Sequence, residues 1–312
     1  MPSTRDIKRR QRSVKNTGQV TRAMQMVAAS KMRKAQLTAL QSRPYAQKAL
    51  SILAGIKHRH PELKNPFLDE AKETNKIIAL VVASDKGLCG GLNGAVIRES
   101  QKLFDQYKKY GYEIELILVG VKSKPYFEKM GVPILEVFKG AGDFVDLAKV
   151  LPIAEFMRAR YASNPYKHAV AIYTEFISTL KQRVSTRKIL PIGEYIFEDL
   201  IRGIAPETGR YSGKSPVAKI NDPSSSEYIF EPEPQAVLEK LIPFLLNIYI
   251  YHIILESNAS EHSARMVAMK NATDSAKKIL SELTLSYNKA RQAAITKEIT
   301  EISAGVEALK NF

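Results

Sequence analysis

The run ATDSAKKILSELTLSYNKARQAAITKEITEISAGVEAL (residues 272–309) places apolar and small residues at alternating steps of three and four. Ala276, Leu280, Leu283, Tyr287, Ala290 and Ala294 form one seam. The seam slips by one position and continues through Ile295, Ile299, Ile302, Val306 and Leu309. Steps of three and four are the period of a coiled-coil stripe; a strand would alternate every two. The slip predicts a local change in winding without an end to the helix. From residue 244 to the C-terminus there is no proline, and Gly305 is the one glycine. A single helix over this stretch would be roughly 100 Å long at about 1.5 Å per residue. Ordinary helices run about 11–12 residues. A rod of that length is either a dimerisation coiled coil or a shaft, a stiff element that spans or transmits something.

The opposite end of the chain carries a matching pattern. Residues 3–55 read as a second long helix, with Ser3 as N-cap and Asp6 as its capping-box partner. Ile7, Val14, Thr21, Met24, Ala28 and Ala35 supply the stripe. Pro44 is expected to kink the helix or mark a joint. Ala28, Ala29, Ala35 and Ala39 are small enough to let another helix approach closely. The economical arrangement packs the two terminal helices antiparallel, with the middle of the chain as a separate body. The stripes alone equally allow pairing with a second copy.

Between the helices, residues 57–76 are polar with two prolines and read as a linker. His58 and His60 lie close together there but lack the further ligands of a metal site, so a solvated loop is expected. Short apolar runs at 77–83, 114–119, 134–137, 169–176 and 189–192 alternate with helical stretches at 95–110, 122–130 and 144–161. Alternation of this kind predicts a parallel sheet with helices on its faces, a Rossmann-like α/β body over 77–197. Residues 198–233 are rich in Gly, Pro and Ser and read as an extended insertion or linker. The final helix is expected over 234–312.

Such a body raises the question of a nucleotide. The stretch SDKGLCGGLN (residues 84–93) follows the first strand and precedes a helix. Its glycines, Gly87, Gly90 and Gly91, suit a phosphate cradle or a tight strand-to-helix turn. It lacks the GK[ST] ending of a P-loop and the GxGxxG order of a dinucleotide fingerprint. The second strand ends in Val119–Gly120, without the acidic residue that would bind a ribose. No GxSxG, HExxH or paired-carboxylate motif is present. No catalytic, cofactor-binding or metal-binding residue is therefore assigned.

The chain has 312 residues, 45% hydrophobic and 25% charged, as in an ordinary soluble protein. Its one cysteine, Cys89, excludes an intrachain disulfide and points to a reducing compartment. The most apolar run, 241–255, is about fifteen residues and falls short of the roughly 20 of a membrane span, so it is expected in the core. The N-terminus is charged and lacks the apolar core of a secretory signal. The formal net charge is +15, and its distribution is uneven. Residues 1–50 hold twelve lysines and arginines against one acid, Asp6. A basic surface on one element predicts an acidic partner. Nucleic acid is disfavoured, because residues 1–44 contain no aromatic side chain to stack on a base.

Three segments, the first and third long and the second short, resemble the γ subunit of the F-type ATP synthase, bacterial type. They are IKRRQRSVKNTGQVTRAMQMVAASKMRKAQ (7–36), SDKGLCGGLN (84–93), and residues 263–309 beginning SARMVAMKNATDSAKK. The resemblance implies an antiparallel coiled coil of the terminal helices on a Rossmann-like body. It implies a non-catalytic central-stalk rotor. Ion flow turns the membrane c-ring, the shaft turns with it, and its asymmetry drives the β subunits through their catalytic cycle. The implied partners are the α and β subunits around the shaft, the ε subunit and the c-ring. Arg9, Arg10, Met24, Arg265, Gln292 and Thr296 match positions that meet the catalytic ring. For Met24, packing within the coil is an equal alternative. Tyr228 and Glu231 match the foot, where the family meets the c-ring and ε. The implied location is peripheral, on the cytoplasmic side of the cell (inner) membrane, and the absence of a separate presequence agrees with it. Residues 198–227 are longer than in many bacterial members. The competing readings are a Rossmann-type enzyme with a coiled-coil dimerisation arm and a basic coiled-coil nucleic-acid adaptor. The V-type rotor is a further alternative, disfavoured because it lacks an inserted α/β body.

Overall fold

The computed structural model describes residues 4–69, 74–142, 146–193 and 230–310. In chain order its elements are α1 (Thr4–Arg59), β1 (Lys76–Val82), α2 (Leu92–Lys109), β2 (Glu113–Val119) and α3 (Lys124–Lys129), followed by β3 (Ile134–Phe138), α4 (Leu147–Ser163), β4 (His168–Phe176), β5 (Gln182–Leu190) and α5 (Pro234–Lys310). They divide into two compact units, one of residues 28–265 and one of residues 1–27 with 266–312.

The larger unit is built on a five-stranded sheet in the order β3-β2-β1-β4-β5. The strands β1 to β4 pair in parallel. The central β1, KIIALVV, is buried at every position but the first, which is why it reads as a continuous apolar run. The last strand departs from expectation. It spans Gln182–Leu190, begins well before the apolar run at 189–192, and pairs antiparallel with β4. A tight turn joins the two, with Ser178 N donating to Lys181 O at 2.9 Å. The sequence QRVSTRKIL hides this strand because only one neighbour covers it and its polar side chains stay partly in water.

Apolar side chains cover both faces of the sheet. On one, Val96, Phe104 and Phe127 of the crossover helices pack on Ile77, Leu116 and Ile172. On the other, Ile78, Leu80, Ile117 and Ala171 meet α4 and a long apolar stretch of α5 that includes Leu245, Ile250 and Ile254. By length and composition α5 could cross a membrane, contrary to the expectation from the fifteen-residue run. Its side chains from Ile253 to Leu255 are nonetheless buried in protein. The helix α1 continues past Pro44 to Arg59, so the joint expected at that proline does not end it.

In the smaller unit the N-terminal part of α1 lies antiparallel to α5. Gln11 Nε2 donates to Thr284 Oγ1 at 3.2 Å, Thr21 Oγ1 and Thr273 Oγ1 share a hydrogen bond at 2.7 Å, and a Cβ on Gly18 would sit 3.3 Å from that of Ala276. Residue number rises on one helix as it falls on the other. Ile7 and Thr21, on the seven-residue stripe, are buried, and Leu280, Leu283, Tyr287 and Ala290 are partly covered. The pairing stops there. Thr4 is the first helical residue of α1, so α5 beyond about residue 290 has no facing helix among the described residues. Ala294, Ile295, Ile299, Ile302 and Val306 are all exposed.

Candidate functional site

Open parallel sheets bind ligands in the crevice beyond the carboxyl ends of their strands. In this chain that end is occupied by its own residues. The turn at 84–93 is closed on itself: Ser84 N donates to Asn93 Oδ1 at 3.0 Å, and Asn93 Nδ2 donates to Ser84 Oγ at 2.7 Å. The carboxylate of Asp85 accepts from Val121 N at 3.2 Å and Gly140 N at 2.8 Å, which ties the ends of β1, β2 and β3 together. Gly120 is required at the same crossing, because it has φ +88° and an added Cβ would lie 2.2 Å from Ala83 O.

Over this surface runs the α5 segment ESNASEHSAR (256–265). Asn258 Nδ2 donates to Ala141 O at 2.7 Å. Ser260 Oγ donates to Thr174 O at 3.0 Å, and Ser263 Oγ to Thr179 O at 2.7 Å. Arg265 gives its Nη2 to Lys86 O at 3.1 Å and Gly87 O at 3.2 Å, and to Glu261 Oε1 at 2.5 Å. Its Nη1 donates to His262 Nδ1 at 3.1 Å, and His262 Nε2 lies 3.0 Å from Gly142 O. With Nδ1 accepting, Nε2 carries the hydrogen and donates to that carbonyl, so the ring is the neutral tautomer. The glycine-rich turn therefore turns carbonyl oxygens towards a guanidinium, whereas a phosphate cradle would turn N–H groups towards an anion. Of its two readings, this geometry supports the tight structural turn.

This docking segment was missed by reading for apolar periodicity. The available signal was ten consecutive residues, mostly polar, immediately after the most apolar stretch of a continuous helix. All of the polar side chains named above on α5 are buried.

The residues singled out from the sequence fall in different places. Arg265 is 9% exposed and spends its hydrogen bonds inside the chain. Arg9 and Arg10 are exposed, and Arg9 is 3.3 Å from Asp6. Met24 is half-buried, while Gln292, Thr296 and Glu231 are exposed. Tyr228, Ser3 and the insertion at 198–227 lie outside the described residues.

Two surfaces of the smaller unit remain open. One is a groove of about 1100 Å³ whose lining includes the cations Arg5, Lys8, Arg9, Arg12 and Lys15 and one acid, Asp6, with Thr284 and Tyr287 of α5. These cations recur at three- and four-residue steps and so share a face of α1. Arg10 is not among its lining residues. The other is the uncovered stripe of α5, where Ile299 is 60% and Ile302 63% exposed.

A five-stranded α/β sheet sealed by the chain's last helix, and a separate unit of two antiparallel helices, define an α/β protein with long terminal helices. A family model described as ATP synthase matches residues 3–309, and the chain belongs to that family. Curated relatives are named ATP synthase gamma chain. That of Chlorobaculum tepidum is 39% identical and that of Chloroflexus aurantiacus 40% identical, with 99% of this chain covered in both and 100% and 99% of the relatives. Among solved structures, a chain of the Euglena gracilis mitochondrial ATP synthase (OSCP/F1/c-ring) aligns with TM-score 0.63 and 17% identity, covering 98% of this chain and 94% of that one. A chain of the Tetrahymena thermophila mitochondrial ATP synthase central stalk and c-ring aligns with TM-score 0.56 and 23% identity, covering 81% and 99%. These likenesses show the fold.

Proposed function

We propose that this chain is the non-catalytic central shaft of an ATP synthase, turning inside a ring of α and β subunits. In this reading the α/β body meets the ε subunit and the c-ring, and the complex is held peripherally at the cytoplasmic face of the cell membrane. Ion flow turns the c-ring, and α5 carries that rotation to the catalytic subunits. The observation that carries the reading is the bare stripe of Ile295, Ile299, Ile302 and Val306, which has no facing helix among the described residues. Apolar side chains exposed at helical spacing along one helix call for an outside surface, and a sleeve around the shaft supplies one.

The basic groove supports the same reading. Arg5, Lys8, Arg9, Arg12 and Lys15 suit acidic loops on the β subunits. Attraction between charges acts at longer range and with less directionality than apolar packing, so it tolerates a moving partner. Arg9, Met24, Gln292 and Thr296 are assigned to this contact. Arg10 contributes to the field without lining the groove. Arg265 acts from inside, by holding α5 on the sheet. Tyr228 and Glu231 are assigned to the foot.

Purifying the tagged chain from membranes tests the proposal. Recovery of α, β, ε and c subunits is expected, and their loss when Arg5, Arg9 and Arg12 are changed to Glu would tie them to the groove. A stable homodimer without those subunits would sink the shaft reading in favour of a dimerisation arm.

A further inference from the structure

Along α5 the bonds of the docked segment fall in two rows on opposite flanks of the helix. At about 100° per residue, Asn258, His262 and Arg265 lie within roughly 60° of one another, and Ser260 and Ser263 share a flank roughly 160° away. The first row reaches Ala141 O, Gly142 O, Lys86 O and Gly87 O, on the backbone that follows β1 and β3. The second reaches Thr174 O in β4 and Thr179 O in the turn after it, and Gln182 of β5 donates to Ser263 Oγ at 3.4 Å. Every residue from Ile253 to Ser263 is buried, so for about three turns no flank of the helix faces water. Ser257, Ala259, Ser260 and Ser263 are small, and small side chains make shallow ridges, so shape alone does little to stop the helix from turning in place. A bond to a fixed carbonyl does stop it, because turning parts donor from acceptor where no water can replace either. One row would let the helix roll about its bonded flank, and a second row on the opposite flank prevents that.

We propose that the two rows are a torque key: they fix α5 against turning about its own axis within the α/β body, so that body and helix rotate as one piece. Asn258, His262 and Arg265 bear on one side, Ser260 and Ser263 on the other, and all five push against backbone that the sheet itself holds in place. The lock is a property of the folded chain. Its use, passing torque between the c-ring and the catalytic subunits, rests on the shaft reading.

Complexes carrying the full tagged chain, purified from membranes and sealed into vesicles, test the key. Two quantities are read together: the rate of ATP hydrolysis, and the membrane potential built per ATP hydrolysed, followed with a voltage-sensitive dye. Ser260→Ala with Ser263→Ala opens one flank and leaves a good helix former at both positions. Hydrolysis is expected to continue while the potential per ATP falls about twofold or more, since each lost bond makes a slip about two- to tenfold more frequent. An unchanged potential per ATP overturns the key, also where hydrolysis and potential fall in proportion, because that reports only fewer intact complexes. Should this variant not fold, Asn258→Ala opens the other flank, with the same expected fall and the same overturning result. A wild-type chain that recovers no α and β subunits, or builds no potential, sinks the shaft reading. A wild-type complex that builds potential, beside variants that match it per ATP, sinks the key alone.

Discussion

Two segments of α5 reverse the usual relation between polarity and burial. Residues 256–265 are mostly polar and lie buried on the sheet, whereas the stripe from Ile295 to Val306 is apolar and lies exposed. One helix carries both. In the first segment, polar groups are buried because every strand end opposite them presents a carbonyl: Lys86 O, Gly87 O, Ala141 O, Thr174 O and Thr179 O. A buried polar group with a partner costs little, and one without a partner costs much. In the second segment, apolar groups are exposed because no helix stands opposite them among the described residues. Burial here follows what stands opposite a side chain, and hydrophobicity alone ranks the two segments the wrong way round.

The sharpest way to break this contrast is at Arg265. Arg265→Ala removes one partner of buried Glu261 and strips donors from two carbonyls of the 84–93 turn. Breaking a buried ion pair by removing one member costs up to about 3–5 kcal/mol, which denaturant unfolding of the full chain would show as a lower midpoint. A loss under about 0.5 kcal/mol, the range of ordinary surface changes, would mean that the segment is held by its apolar neighbours. Asn258→Ala is the milder version. It orphans only Ala141 O, with an expected cost of about 1–3 kcal/mol.

The paired part of the coil lies between the two extremes. Thr21 and Thr273 bury a shared hydrogen bond at 2.7 Å, and Thr273 also donates to Met269 O at 2.8 Å. Each hydroxyl has one hydrogen and a carbonyl of its own helix within reach, Gly18 O at 3.1 Å for Thr21 and Met269 O at 2.8 Å for Thr273, so whichever donates across the pair gives up its own carbonyl. Thr21→Val is expected to cost about 1 kcal/mol, and adding Thr273→Val should cost less than a second such loss, because no orphan remains. A strictly additive double mutant would show that the pair does not act as a unit.

Much of this was legible in the sequence, and the failures share a cause. The two long helices and four of the five strands followed from period, because packed stripes and buried strands leave repeats of seven or continuous apolar runs; the antiparallel pairing was the economical one of two arrangements that the stripes allow. The start of β5 was lost because an edge strand with polar side chains has neither. The docking segment was lost because its stabilisation resides in backbone carbonyls 80 to 180 residues away, and no local pattern encodes those. Arg265 illustrates the limit. Its segment marked it for function, yet only the fold shows its guanidinium turned into its own chain. The seam through Ile295 was correctly read as helical, but period does not report where the facing helix ends.

The smallest expected change in stability is the most informative about the exposed stripe. Ile295, Ile299, Ile302 and Val306 can be changed together to Ser, which has a helix propensity close to those of Ile and Val. In the free chain these side chains touch water, so unfolding is expected to shift by no more than about 0.5 kcal/mol. In the assembly the same four changes remove the apolar face offered to the surrounding subunits, and recovery of α and β with the tagged chain should fall. The two measurements must therefore disagree. A large loss of stability in the free chain would place the stripe inside the fold, and full recovery of the partners would leave it without a surface to meet. A stable free chain with impaired assembly is the result that a shaft outrunning its own partner helix requires.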